Sequence, residues 1–184
     1  MQDVIVVGAS AGGVEALQVL AAGLATDLPA SVFVVLHIGS GIDGQSFLPE
    51  ILARAGPLPV KHPVRGEEIR RAQIYVAPPD YHMLLRLGHV YLLNGPKENR
   101  ARPSINPLFR SAAAAYGSRV TGVILTGLLD DGVAGLAEIK RRGGIAVVQD
   151  PTTALYPSMP ETRLSASMPI TLPRFTTSRN LYTP

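Results

Sequence analysis

Ser10 stands in Gly8-Ala9-Ser10-Ala11-Gly12-Gly13, a Gly-x-Ser-x-Gly run that directly follows the apolar residues 4–7. Small residues on both sides of a serine permit a tight strand-to-helix turn that leaves its hydroxyl in the open. The helix that follows presents unpaired N–H groups and a positive dipole end to a developing oxyanion. The same run has a second reading, because glycine-rich strand-to-helix turns also cradle phosphate. Its order is not Gly-x-Gly-x-x-Gly and no Gly-Lys-Ser/Thr follows, which disfavours a Walker-type nucleotide site.

A serine nucleophile needs a base, and four histidines are available. His37 ends the apolar run 31–36, which places it on the same sheet edge as Ser10 if the two strands are neighbours. Its plainer reading is a strand-end histidine bonded to a loop carbonyl. His82 lies in Ala-Pro-Pro-Asp-Tyr-His-Met, after a strand end, and is assigned to the lining of a cleft. His62 lies between Lys61 and Pro63 with no motif around it, and His89 is expected at an exposed hairpin tip. A base in turn needs an orienting carboxylate. Asp130 and Asp131 close the run Leu-Thr-Gly-Leu-Leu-Asp-Asp-Gly at 125–132. A carboxylate there fixes the imidazole tautomer and stabilises imidazolium, and its other reading is a helix N-cap. An acidic pair also suits Mg²⁺, but no third carboxylate falls near a strand end. Neither a metal nor a cofactor is expected.

These residues must be held by alternating strands and helices. Apolar, β-branched runs at 4–7, 31–36, 73–76, 120–125 and 145–148 read as buried strands. Helical spacing marks 14–24, 47–55, 105–116 and 133–142, with Gly56, Gly117 and Gly143-Gly144 as stops. Residues 84–87 and 90–93 flank Gly88-His89 as an antiparallel hairpin. A further helix is suggested at 161–166. The expected fold is α/β, a three-layer sandwich around a mainly parallel, doubly wound sheet with one hairpin. In such sheets ligands sit beyond the carboxyl ends of the strands, and Ser10, His37 and the Asp130-Asp131 pair each follow a strand end.

The 184 residues fit one domain. There is no cysteine, which excludes disulfide scaffolds, zinc ribbons and thiol nucleophiles. Net charge is +3 and aromatics make up 5%, too mild a bias and too few stacking groups for a nucleic-acid partner. No basic signal region or ~20-residue apolar span appears, so a cytoplasmic protein without membrane insertion is expected.

The chain resembles the catalytic domain of protein-glutamate methylesterases of the CheB type, from bacterial chemotaxis. The matching runs are VGASAGG at 7–13, VVLH at 34–37, LPEILARAG at 48–56, IYVAPPDYHM at 74–83, NRARPSINPLF at 99–109, LTGLLDDG at 125–132 and QDPTTALYPSMP at 149–160. The resemblance implies a triad of Ser10, His37 and Asp131, with the backbone N–H groups of Ala11 and Leu128 at the oxyanion. It implies hydrolysis of glutamate γ-methyl esters on chemoreceptor helices through an acyl-enzyme, with receptor glutamine deamidation as a related activity. Arg100 and Arg102 would line the substrate site and steer an acidic helix; their other reading is solvated surface charge. Ala11 replaces a frequent threonine, Leu128-Leu129-Asp130 replaces a frequent Met-Gly-Asn, and Asn106 replaces an aspartate. The chain starts at the first catalytic strand, so 1–184 is expected to be the catalytic domain alone, without a receiver domain. The competing reading is a non-catalytic α/β module that docks on receptors or binds a phosphate or nucleotide at the glycine-rich loop.

Overall fold

The protein is seen here as a computed structural model that describes residues 3–37, 46–127 and 130–156. Its centre is β1 (Asp3–Ala9) and β2 (Ala30–Leu36), whose valine-rich runs pair in parallel from Asp3↔Ala30 to Ala9↔Leu36. Both strands are covered on both faces, so their sequences do not alternate with polar residues. Neighbouring side chains of β2 instead sort between two cores. Phe33 and Val35 join one, and Val32, Val34 and Leu36 the other.

The first helices are α1 (Gly13–Ala22) and α2 (Leu48–Ala55); next come the short strands β3 (Val60–Lys61), β4 (Glu67–Glu68) and β5 (Ile74–Val76). The hairpin β6 (His82–Arg86) and β7 (His89–Leu93) leads to α3 (Ile105–Tyr116), β8 (Val120–Ile124), α4 (Val133–Arg141) and β9 (Ile145–Val148). Six strands form one sheet in the order β3-β5-β2-β1-β8-β9, with every neighbouring pair parallel. Leu17, Ala21 and Leu52 of α1 and α2 fill the core on one face. Ile105, Phe109, Leu136 and Ile139 of α3 and α4 fill the other. The expected three-layer α/β architecture is therefore the observed one. The connections after β1 and β8 leave toward opposite faces, which opens a crevice between these adjacent strands at their carboxyl ends.

The expected hairpin forms, with Met83↔Leu92 and Leu85↔Val90 in register, but it is not an excursion of the parallel sheet. It joins β4 in a separate antiparallel sheet of order β4-β7-β6, and Met83, Leu85 and Val90 share a core with α3. Strands β3 and β4 have two residues each, too short to leave a periodic signal. The suggested helix at 161–166 lies outside the described residues. No helix among the described residues is long and apolar enough to cross a membrane.

Close approach at one point brings α3 to the sheet edge. A Cβ on Gly8 would sit 2.5 Å from Ile105 Cγ2, so only glycine near the end of β1 lets the first turn of α3 lie against it. Gly132 plays the matching part before α4. Its φ is +92°, and a Cβ there would meet Ile124 Cδ1 at 2.6 Å and Ile105 Cγ2 at 2.8 Å. Gly132→Ala combines a left-handed backbone with overpacking. It should lower stability by about 2 kcal/mol or more, seen as a clear fall in Tm; an unchanged Tm would contradict this packing.

Candidate active site

Backbone hydrogen bonds set the positions of Ser10 and His37. The Ser10 N–H donates to Thr126 O (3.0 Å), the Gly13 N–H to Ser10 O (2.8 Å), and the His37 N–H to Ala9 O (3.0 Å). The β1–β2 register ends on Ala9↔Leu36, so the next residues, Ser10 and His37, leave adjacent strands side by side. Ser10 Oγ makes no hydrogen bond among the described residues. The Ala11 N–H likewise has no acceptor there, and it lies two residues before the start of α1, where a developing negative charge is favoured.

Asp131 is the most heavily bonded side chain of the site and is 1% exposed. Its Oδ2 lies 2.8 Å from His37 Nε2 and accepts from Ser104 Oγ (2.8 Å) and the Ile105 N–H (2.6 Å). Its Oδ1 accepts from Asn99 Nδ2 (2.7 Å), the Asn106 N–H (3.2 Å) and the Gly132 N–H (2.9 Å). Two of these donors are the first amides of α3. That helix has no side-chain cap of its own and no acid in its first turn. Asp131 supplies both across the fold, and the helix dipole supports its charge. Asn106 repeats the arrangement for α4, its Oδ1 accepting from the Gly135 N–H at 2.7 Å. A neutral amide carbonyl is sufficient for that bond, which accounts for an asparagine at 106.

Burial by itself would push the Asp131 carboxyl up. Hydrogen bonds from His37, the Ile105 N–H, Ser104 and Asn99 outweigh it and hold the group at about 2. The ionised carboxylate only accepts, so His37 Nε2 carries a proton, and in the neutral ring Nδ1 is the acceptor. The folded value lies below the unfolded one of roughly 3.9. Asp131 therefore stabilises the fold above about pH 4, by on the order of 2–3 kcal/mol, and loses that contribution as pH falls toward 2. Denaturant titrations should show stability declining through this acid window, with a flatter decline in Asp131→Asn. Equal slopes would remove Asp131 as the source.

The other expected site residues divide. Asp130 is exposed, and its carbonyl, not its side chain, accepts the Val133 N–H that starts α4 (3.1 Å). Leu128 lies outside the described residues. His82 was expected to line the substrate site, but it is 3% exposed and both ring nitrogens are committed. Nε2 lies 2.8 Å from Pro96 O, and Nδ1 accepts the Ser104 N–H at 3.3 Å. It supports the segment leading into α3. Arg102 is likewise held by fixed partners. Its Nε and Nη2 reach Asp80 Oδ1 at 2.9 and 2.6 Å, and its Nη1 donates to Gly95 O. Arg100 is exposed without an ion pair among the described residues.

Sequence reasoning did not single out Asn99, Ser104, Thr126 or Gln149. Thr126 Oγ1 contacts Ala11 O (3.2 Å) and Tyr156 O (3.2 Å) and accepts the Tyr156 N–H (2.8 Å). Gln149 Oε1 accepts the Thr126 N–H (2.9 Å). Together they tie the nucleophile loop to the segment after β9. Ser104 alone carried a signal, since a serine just before an apolar helical run is an N-cap signature; here its hydroxyl serves Asp131 instead. No cluster of three or more His, Cys, Asp or Glu side chains suited to a metal occurs among the described residues.

The fold and the polar group at its carboxyl edge define an α/β protein that carries its chemistry at a sheet switch point. A family model described as CheB methylesterase matches residues 5–174, and the chain belongs to that family, one of carboxylic ester hydrolases. A Leptospira interrogans protein is 40% identical over 166 residues, covering 90% of this chain and 85% of that protein. It bears, provisionally, the name protein-glutamate methylesterase/protein-glutamine glutaminase. An Anaeromyxobacter dehalogenans protein of the same name is 40% identical over 83% of this chain and 44% of its own length. The chain thus spans most of the first relative and under half of the second. The crystal structure of the Thermotoga maritima CheB methylesterase catalytic domain superposes with a TM-score of 0.87 at 31% identity, covering 94% of this chain and 93% of that one.

Proposed function

We propose that this protein hydrolyses glutamate γ-methyl esters on chemoreceptor helices in the cytoplasm, with Ser10 as nucleophile, His37 as general base and Asp131 as its orienting carboxylate. The observation that carries this reading is the 2.8 Å contact of His37 Nε2 with a buried, ionised Asp131, on the strand end beside Ser10. Ser10 Oγ attacks the ester carbonyl as its proton passes to His37. The Ala11 N–H, joined by that of Leu128, receives the oxyanion. Collapse expels methoxide, which takes the proton from His37 and leaves as methanol. Water then attacks the acyl-serine by the same relay, releasing a glutamate carboxylate and free Ser10. Attack on a glutamine amide by the same route would release ammonia, which suits the glutaminase part of the relatives' names.

Incubation with a serine-directed organophosphonate should give a covalent adduct on Ser10 and stop methanol release from methylated receptor. Absence of an adduct, with tight binding of a nucleotide or phosphate at the glycine-rich loop, would replace this reading with a binding module.

A further inference from the structure

Asp131 has six polar contacts, and five come from groups fixed by the main architecture: His37, Ser104 at the start of α3, and the amides of Ile105, Asn106 and Gly132. The sixth is different. Asn99 belongs to a surface turn and is exposed, yet its Nδ2 reaches Oδ1 of the buried carboxylate at 2.7 Å.

The turn is built in an unfavourable way. Glu98 and Ala101 pair across it, the Glu98 N–H to Ala101 O at 3.2 Å and the Ala101 N–H to Glu98 O at 2.9 Å. Both central residues are left-handed, Asn99 with φ +49° and Arg100 with φ +62°. Such turns favour Asn-Gly, and a non-glycine second residue is strained. The surroundings hold it in place. Arg102 grips Asp80 and Gly95, Asn94 Nδ2 donates to Asp80 O at 2.8 Å, and Arg110 pairs with Glu98 at 2.8 Å. His82 holds Pro96. The two side chains first read as substrate-lining, His82 and Arg102, are thus struts for the segment that presents Asn99.

We infer that Asn99 is a positioning residue for the ester hydrolysis, acting through Asp131: its amide occupies Oδ1 and so keeps Oδ2 turned to His37. The inference rests on the proposed role of His37 as base. An amide suits the task. It orients the carboxylate without a positive charge that would compete with the imidazolium formed as Ser10 attacks.

The test separates this role from mere turn formation. Asn99→Gly keeps a residue that favours the left-handed backbone and removes the donor. Asn99→Asp keeps size and turn preference but sets a second carboxylate against the first. Asn99→Gly should stay folded with only a modest fall in Tm, from the one lost bond to the carboxylate, lower kcat for methanol release on the order of 10- to 100-fold and leave KM within about twofold. Organophosphonate labelling of Ser10 should slow by a similar factor, and Asn99→Asp should be slower still. A wild-type kcat in Asn99→Gly would overturn the inference. So would a raised KM at unchanged kcat, which makes Asn99 a substrate contact, or an Asn99→Asp enzyme as active as wild type. If the wild-type protein itself neither labels nor releases methanol, the esterase reading fails separately. The ring N–H proton resonance of His37 then decides: a displaced, faster-exchanging signal in Asn99→Gly supports positioning, and an unchanged one overturns it.

Discussion

Ser10→Ala should fold like the wild type and lose ester turnover by roughly 10⁵- to 10⁶-fold, the scale seen when the nucleophile of a serine triad is removed. Both halves of this expectation come from the same geometry. Ser10 Oγ has no hydrogen-bond partner among the described residues, so its loss leaves no buried group unsatisfied. The backbone bonds that fix the loop, to Thr126 O and from the Gly13 N–H, do not involve the side chain. A thermal melt and methanol release from methylated receptor, measured on one preparation, check the two halves. A variant with normal Tm and undiminished release would place the nucleophile elsewhere.

What was legible in the sequence follows from where each signal resides. Strands buried on both faces announce themselves by composition, so β1, β2, β8 and β9 are readable to within a residue or two, and the topological rule for ligand sites then points to Ser10, His37 and the Asp130-Asp131 pair, with Asp131 chosen from the pair by the family resemblance. The helices were readable for a related reason: α3 runs from Ile105 to Tyr116 as its apolar spacing and Gly117 stop require. The contacts that hold Asp131 were not readable. Asn99 is 32 residues from it and Ser104 is 27, and no periodicity links a turn tip or a helix start to a carboxylate that distant. The hydrogen-bond partners of His82 and Arg102 were not readable for a similar reason. Polar residues beside a sheet edge look the same in sequence whether they face a cleft or turn back to bind Pro96 O, Gly95 O and Asp80.

The paired aspartates give the second large effect, because the two side chains are adjacent in sequence and opposite in surroundings. Asp131→Asn must place an NH2 group where one oxygen stood. If Oδ2 is replaced, the amide faces His37, Ser104 Oγ and the Ile105 N–H. If Oδ1 is replaced, it faces Asn99 Nδ2 and the amides of Asn106 and Gly132. Either way a donor meets donors, and the negative charge that supports imidazolium is gone. Turnover should fall on the order of 10⁴-fold, as when the triad carboxylate is made neutral and the imidazole takes the wrong tautomer. Stability should fall too, by about 2–4 kcal/mol, since the first turn of α3 loses its acceptor. Asp130→Asn alters an exposed side chain whose carbonyl, not its carboxylate, is used by the fold. It should change turnover by less than about twofold and stability by less than about 0.5 kcal/mol. Kinetics and denaturant melts of the two variants side by side make the comparison. If Asp130→Asn proves the damaging one, His37 is oriented by a different carboxylate from the one 2.8 Å from its ring, and the assignment of the base's partner falls even where ester hydrolysis itself is observed.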